Sequence, residues 1–253
     1  MWGTGASDSQ TIPSYYHLVA RKPVYNFGET GWTSRQSLNQ FLNLVADGNK
    51  PGAIVFYDGV NDVAFQCRSE IKSLPSHEQE SLIQSSLKAT SSTSNLSRFL
   101  IAPYKSLFTR LTHSATLDKY DCSGNSEKSR AIAKHLVSNW YYAYLISKSK
   151  GYEFLAILQP TLFSSNTNSN YFSPDEKRRL ALLKPEFDSV YPLVISEMQT
   201  SCKTDPEFCA KLVNGSSWLH GHSNIFIDFC HLNNNGNEII AKNIARELKL
   251  RTK

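Results

Sequence analysis

Asp228-Phe229-Cys230-His231 sets a carboxylate and an imidazole three residues apart, after a short apolar run and ahead of an amphipathic helix. On a turn the two side chains can meet side by side. The carboxylate then fixes the imidazole tautomer and stabilises the imidazolium formed when the histidine takes a proton. The same residues would serve equally as an Asp capping a local turn beside an incidental His. A second element is Tyr57-Asp58-Gly59-Val60-Asn61-Asp62, which closes another apolar segment. An amide at the carboxyl end of a strand lies in the crevice where α/β proteins bind ligands, and Asn61 there could donate to an oxyanion. Asp, Gly and Asn are also the ordinary residues of an Asx turn. The third element runs Asn26-Phe27-Gly28-Glu29-Thr30-Gly31-Trp32-Thr33-Ser34. A glycine lets a backbone N–H approach a substrate oxygen closely, which makes Gly31 a second candidate donor, while Ser34 suits the cap of a following helix.

These residues need a frame to hold them. Four short apolar segments bounded by Gly, Pro, Asn or Asp read as strands: Val24–Phe27, Ala53–Tyr57, Phe154–Leu158 and Asn224–Ile227. Helical segments alternate with them. Thr11–Val19 is one, and Ser34–Asp47 carries Leu38, Phe41, Leu42 and Val45 along one stripe. Ser129–Lys148 is a third, Ser173-Pro174-Asp175-Glu176 is a helix start, and a last helix begins near Asn235 with Ile240, Ile244 and Leu248 on one face. Such alternation implies a parallel sheet covered on both faces, an α/β architecture. A Ser/Thr-rich stretch at about 67–125, with a helical piece at Thr90–Ser97, interrupts the alternation and reads as an insertion into one domain spanning 1–253. An insertion at a strand end serves either as a substrate wall or as a surface excursion.

Asn-x-Gly-x-x-Gly-x-Thr, then Gly-x-Asn-Asp, then Asp-x-x-His before the last helix resembles the SGNH (GDSL-type) hydrolase family over nearly the whole chain, the 67–125 insertion matching least. The resemblance implies a flavodoxin-like three-layer α/β/α sandwich and a Ser-His-Asp triad acting on carboxylic esters. Carried over residue by residue, His231 is the base, Asp228 its orienter, and Gly31 and Asn61 the oxyanion donors. Gln159-Pro160 also matches a family segment, without a catalytic role. The family's first block is a strand, Gly-x-Ser, and a glycine four residues past the serine. Gly3 matches that glycine, so the expected nucleophile lies two residues before Met1, and the first strand is missing with it. Ser7 and Ser9 follow no apolar strand and suit helix capping instead. An O-acyltransferase on the same apparatus and a non-catalytic binding protein are the alternative readings. The family acts on lipids, acetylated sugars and thioesters, so the expected partner is a small-molecule, carbohydrate or lipid ester. Tyr15, Tyr16 and Trp32 could stack on sugar rings or belong to the core.

Composition excludes other classes. A formal charge of +5 is mild, and the basic groups Lys177-Arg178-Arg179 and Arg246–Lys253 fall on solvated helix faces. There is no basic stripe with interleaved aromatics, so no nucleic-acid partner is expected. No apolar run is long enough to span a membrane, and the N-terminus has no signal-peptide pattern. The five cysteines contain no CxxC pair, so no zinc site is expected, and no metal or organic cofactor is indicated. Cys202 with Cys209, and Cys67 with Cys122, could pair in an oxidising compartment such as the periplasm or the cell exterior; free thiols in the cytosol are the alternative. The sequence assigns no oligomeric state.

Overall fold

The computed structural model describes residues 5–71 and 119–251. Helix α1 (Ile12–Ala20) and helix α2 (Ser34–Ala46) precede strand β1 (Ala53–Asp58) and the short helix α3 (Val60–Ala64). Helix α4 (Ser126–Lys150), strand β2 (Glu153–Leu158), helix α5 (Pro174–Thr204), helix α6 (Pro206–Cys209), strand β3 (Leu212–Asn214) and helix α7 (Asn234–Arg251) complete the described elements. The three strands form one parallel sheet in the order β1-β2-β3. Ala53 pairs with Glu153 at one end and Asp58 with Leu158 at the other, while Ala156 pairs with Leu212.

The run Phe-Leu-Ala-Ile-Leu in β2 is buried throughout, as a central parallel strand must be. Its side chains alternate between two cores. Phe154, Ala156 and Leu158 join Leu38 of α2, Trp140 of α4 and Val190 of α5 in one. Leu155 and Ile157 join Ile12 of α1 and Ile240 and Ile244 of α7 in the other. Helices therefore cover both faces of the sheet, and the chain is an α/β protein. Among the described residues, no helix is long and apolar enough to cross a membrane.

Local chemistry sets the helix ends. The Asn125 side chain accepts from Lys128 N–H at the start of α4, and Gly151, at φ 72°, ends it in a left-handed turn. A capping box between Ser173 and Glu176, with Pro174 in the first turn, starts α5 as expected. That helix continues to Thr204 through Pro185 and Pro192, well beyond its sequence signature.

Two expected strands are absent from the sheet. Val24–Phe27 lies in none of the sheet's strands. Tyr25 is 79% exposed and Phe27 48%, so burial does not fix them in a ladder. Asn224–Ile227 makes only an isolated antiparallel bridge, Phe226 to Leu232, within a tight loop. The third strand is Leu212–Asn214 instead, a segment too short to show periodicity.

Both cysteine pairs are disulfides, Cys67–Cys122 and Cys202–Cys209, which leaves Cys230 as the free thiol. The first closes the base of the insertion. Beside it, Glu186 of α5 accepts from the Ser123 N–H at 3.0 Å and the Ser123 hydroxyl at 2.8 Å. The expected helix at Thr90–Ser97 lies outside the described residues.

Candidate active site

The loop carrying Asp228 and His231 is closed by backbone pairing on both sides. Ile227 N–H donates to His231 O at 2.8 Å, and Asn233 N–H donates to Ile225 O at 2.8 Å. Asp228 fills the tip. Its Oδ1 accepts from the N–H groups of Cys230 at 2.8 Å and His231 at 2.6 Å. Its Oδ2 lies 2.6 Å from His231 Nδ1. Burial opposes ionisation of Asp228, but the side-chain and backbone hydrogen bonds from His231 and the Cys230 N–H outweigh it and hold its pKa below the ordinary value. Nδ1 thus carries the proton toward the carboxylate, which leaves Nε2 as the basic nitrogen.

Helix α7 begins directly after this loop, with Asn233 Oδ1 accepting from Gly236 N–H at 3.1 Å. A Cβ on Gly236 would lie 2.7 Å from Ile225 Cγ2 and 2.9 Å from Leu232 Cβ. The glycine allows the helix to close against the loop and hold it on the second core.

Asn61 follows a turn that only glycine fits. Gly59 has φ 123°, and a Cβ there would stand 2.8 Å from Leu158 Cδ1. The Asn61 amide donates one hydrogen to Trp32 O at 2.8 Å, tying β1's end to the Gly28–Thr33 turn. Its second amide hydrogen is the one available to a ligand. Gly31 has φ 76° in that turn, and a Cβ would meet Phe65 Cε2 at 3.3 Å.

Two buried carboxyls lie beside Asn61 and the Gly28–Thr33 turn. Asp62 accepts from Ser34 N–H at 3.2 and 3.0 Å on its two oxygens and from the Ser34 hydroxyl at 2.6 Å, and Asn139 donates to that hydroxyl at 2.9 Å. Asp58 accepts from Ser37 at 2.9 Å and from Trp140 Nε1 at 3.0 Å. Burial, and then the neighbouring Asp58, push the Asp62 carboxyl up to about 7 against its bonds to Ser34. Burial likewise raises Asp58, against its bonds to Trp140 and Ser37. They lock α2 to β1 and α4, and so position the turn that carries Gly31.

A cavity of about 230 Å³ is lined by Gly31, Asn61 and His231, together with Tyr57, Gln159 and Cys230. Three of the four expected site residues thus face one space, with Asp228 behind His231. No family model matches the chain. No curated protein matches it either.

Sequence reasoning left Tyr57 and Cys230 out of the site. The place of Tyr57 at the carboxyl end of an apolar segment was the available signal for it, and adjacency to His231 was the signal for Cys230. Burial raises both the Tyr57 phenol and the Cys230 thiol, each further opposed in ionising by nearby negative charge. Trp32 also lines the cavity, whereas Tyr15 and Tyr16 pack against the second core. Ser7 and Ser9 bond to each other on the exposed start of a one-turn helix at Asp8–Gln10. Among the described residues, no serine hydroxyl is hydrogen-bonded to the His231 imidazole, whose Nδ1 meets Asp228 and Cys230.

Proposed function

We propose that the chain is the body of a carboxylic ester hydrolase with the flavodoxin-like sandwich of the SGNH family. The observation that carries this reading is the convergence of His231, Asn61 and Gly31 on one cavity, with Asp228 bonded to His231 Nδ1. A hydroxyl attacks the ester carbonyl carbon as His231 Nε2 takes its proton. The oxyanion receives hydrogen bonds from Gly31 N–H and the second Asn61 amide hydrogen. His231 then protonates the departing alkoxide, and water repeats the sequence to release the acid. The nucleophile in this reading is the serine that the family resemblance puts ahead of Gly3.

Ligand binding without turnover is the second reading, favoured by the lack of a serine bonded to His231 among the described residues. Turnover of p-nitrophenyl acetate by the polypeptide read in frame from upstream of Met1 separates the two. Hydrolysis that disappears in His231→Ala supports the esterase. A folded product that binds esters but does not hydrolyse them contradicts it.

A further inference from the structure

Asp228, Cys230 and His231 bring an oxygen, a sulfur and a nitrogen within 4.8 Å of one another. This set suits a borderline-soft divalent cation rather than Ca²⁺ or Mg²⁺, which take oxygen ligands. Bonds of about 2.0 Å to nitrogen and about 2.3 Å to sulfur at a tetrahedral angle put those two atoms about 3.5 Å apart. Cys230 Sγ and His231 Nδ1 stand 3.6 Å apart. Asp228 Oδ2, at 2.6 Å from the same nitrogen, is in hydrogen-bond contact and would withdraw by under about 1 Å to become the third ligand. The Asp228 and His231 side chains are 42% and 38% exposed, and Cys230 lines the cavity, so an ion can enter. A second observation points into the same space. The Tyr57 hydroxyl is buried, lines this cavity and has no hydrogen-bond partner. A buried orphan of this kind calls for an explanation, and its oxygen can accept from a water in the metal's fourth position.

We propose that Asp228, Cys230 and His231 form an inhibitory site for Zn²⁺ or a similar thiophilic divalent cation. On binding, the Cys230 thiol releases its proton to solvent and the sulfur bonds to the metal. The imidazole stays neutral, but its proton moves from Nδ1 to Nε2 as Nδ1 bonds to the metal. With Nε2 protonated, His231 can no longer accept a proton from a nucleophile. This regulatory consequence rests on the base role proposed above; the metal binding does not.

Co²⁺ titration of the full chain without reductant is the test, because the other four cysteines are in disulfides. Any thiolate-to-cobalt absorption band in the near ultraviolet must then come from Cys230. The expected result is a band that saturates at one equivalent, disappears in Cys230→Ser, and is bleached by Zn²⁺. Asp228→Asn should weaken Co²⁺ binding by more than the about 10- to 100-fold lost with an outer-shell partner. Proton release on metal addition to wild type gives a reading that needs no variant to fold. Absence of the band and of proton release, or a band unchanged in folded Cys230→Ser, overturns the proposal. A Cys230-dependent band in a protein without ester turnover upholds the metal site while the esterase reading fails.

Discussion

Replacing Asp62 by Asn should flatten the pH dependence of stability. The Asp62 carboxyl rises from an ordinary 3.8 to about 7 in the folded protein. Over that interval the folded state holds a proton that the unfolded chain has released, so the stabilisation is full below about pH 4 and is lost as pH rises toward about 7. At about 1.4 kcal/mol per pH unit the full interval is worth on the order of 4 kcal/mol, of which about 2 kcal/mol falls between about pH 5 and pH 7. Asp58 acts in the same direction. His135 opposes it, because burial, followed by Lys134 and Arg35, lowers its pKa, and its contribution is lost as pH falls. The difference between wild type and Asp62→Asn removes these common terms. Asn keeps an oxygen for Ser34, whereas Asp62→Ala leaves the Ser34 N–H and hydroxyl without their acceptor at about 1–3 kcal/mol each. Urea unfolding followed by circular dichroism from about pH 5 to pH 8 measures both effects. Wild type should lose about 2 kcal/mol relative to Asp62→Asn across that range, and Asp62→Ala should be weaker throughout. Parallel wild-type and Asp62→Asn curves would refute the assignment of a buried, protonated carboxyl.

Three further outcomes are expected. In Asp228→Asn of the in-frame extended polypeptide the amide would donate to His231 Nδ1 and force the proton onto Nε2, lowering the proposed ester turnover by about 10⁴-fold with the fold retained by circular dichroism; retained turnover counts against the orienting role. Removing Cys67–Cys122 by double alanine substitution should cost about 4 kcal/mol and removing Cys202–Cys209 about 2 kcal/mol, following their separations of 55 and 7 residues; equal urea-midpoint shifts contradict the loop-entropy account. Gly59→Ala should destabilise by about 1–3 kcal/mol in thermal unfolding, because its φ of 123° and the contact with Leu158 both exclude a Cβ; an unshifted transition refutes this.

Much of the frame was legible wherever a pattern extended over several turns. The stripe of Leu38 and Phe41, the Ser173 capping box and the Ile240–Ile244–Leu248 face all reported real helices, because amphipathic period and capping are local properties. The strand Phe154–Leu158 was legible because burial on both faces demands an unbroken apolar run. Val24–Phe27 and Asn224–Ile227 misled because a four-residue apolar run has no visible partner: pairing is decided by distant chain. Leu212–Asn214 hid for the converse reason, since β2 supplies what its own sequence lacks. At the site, the Asp228–His231 contact was legible from spacing on a turn. The convergence of Asn61 and Gly31 was not legible from spacing, because it depends on Asn61 bonding to Trp32 across 29 positions. The buried Asp62–Ser34–Asn139 chain beside them, spanning 105 positions from Ser34 to Asn139, has no signal in local sequence.

The central claim is that His231, oriented by Asp228, serves as the base for a serine nucleophile. Mass spectrometry of a fluorophosphonate adduct on the in-frame extended polypeptide tests it most directly. The account predicts one adduct, on a serine ahead of Gly3, that is lost in His231→Gln while the fold is retained. A stop codon immediately ahead of Met1, a folded protein that takes no adduct, or an adduct that survives His231→Gln would contradict it.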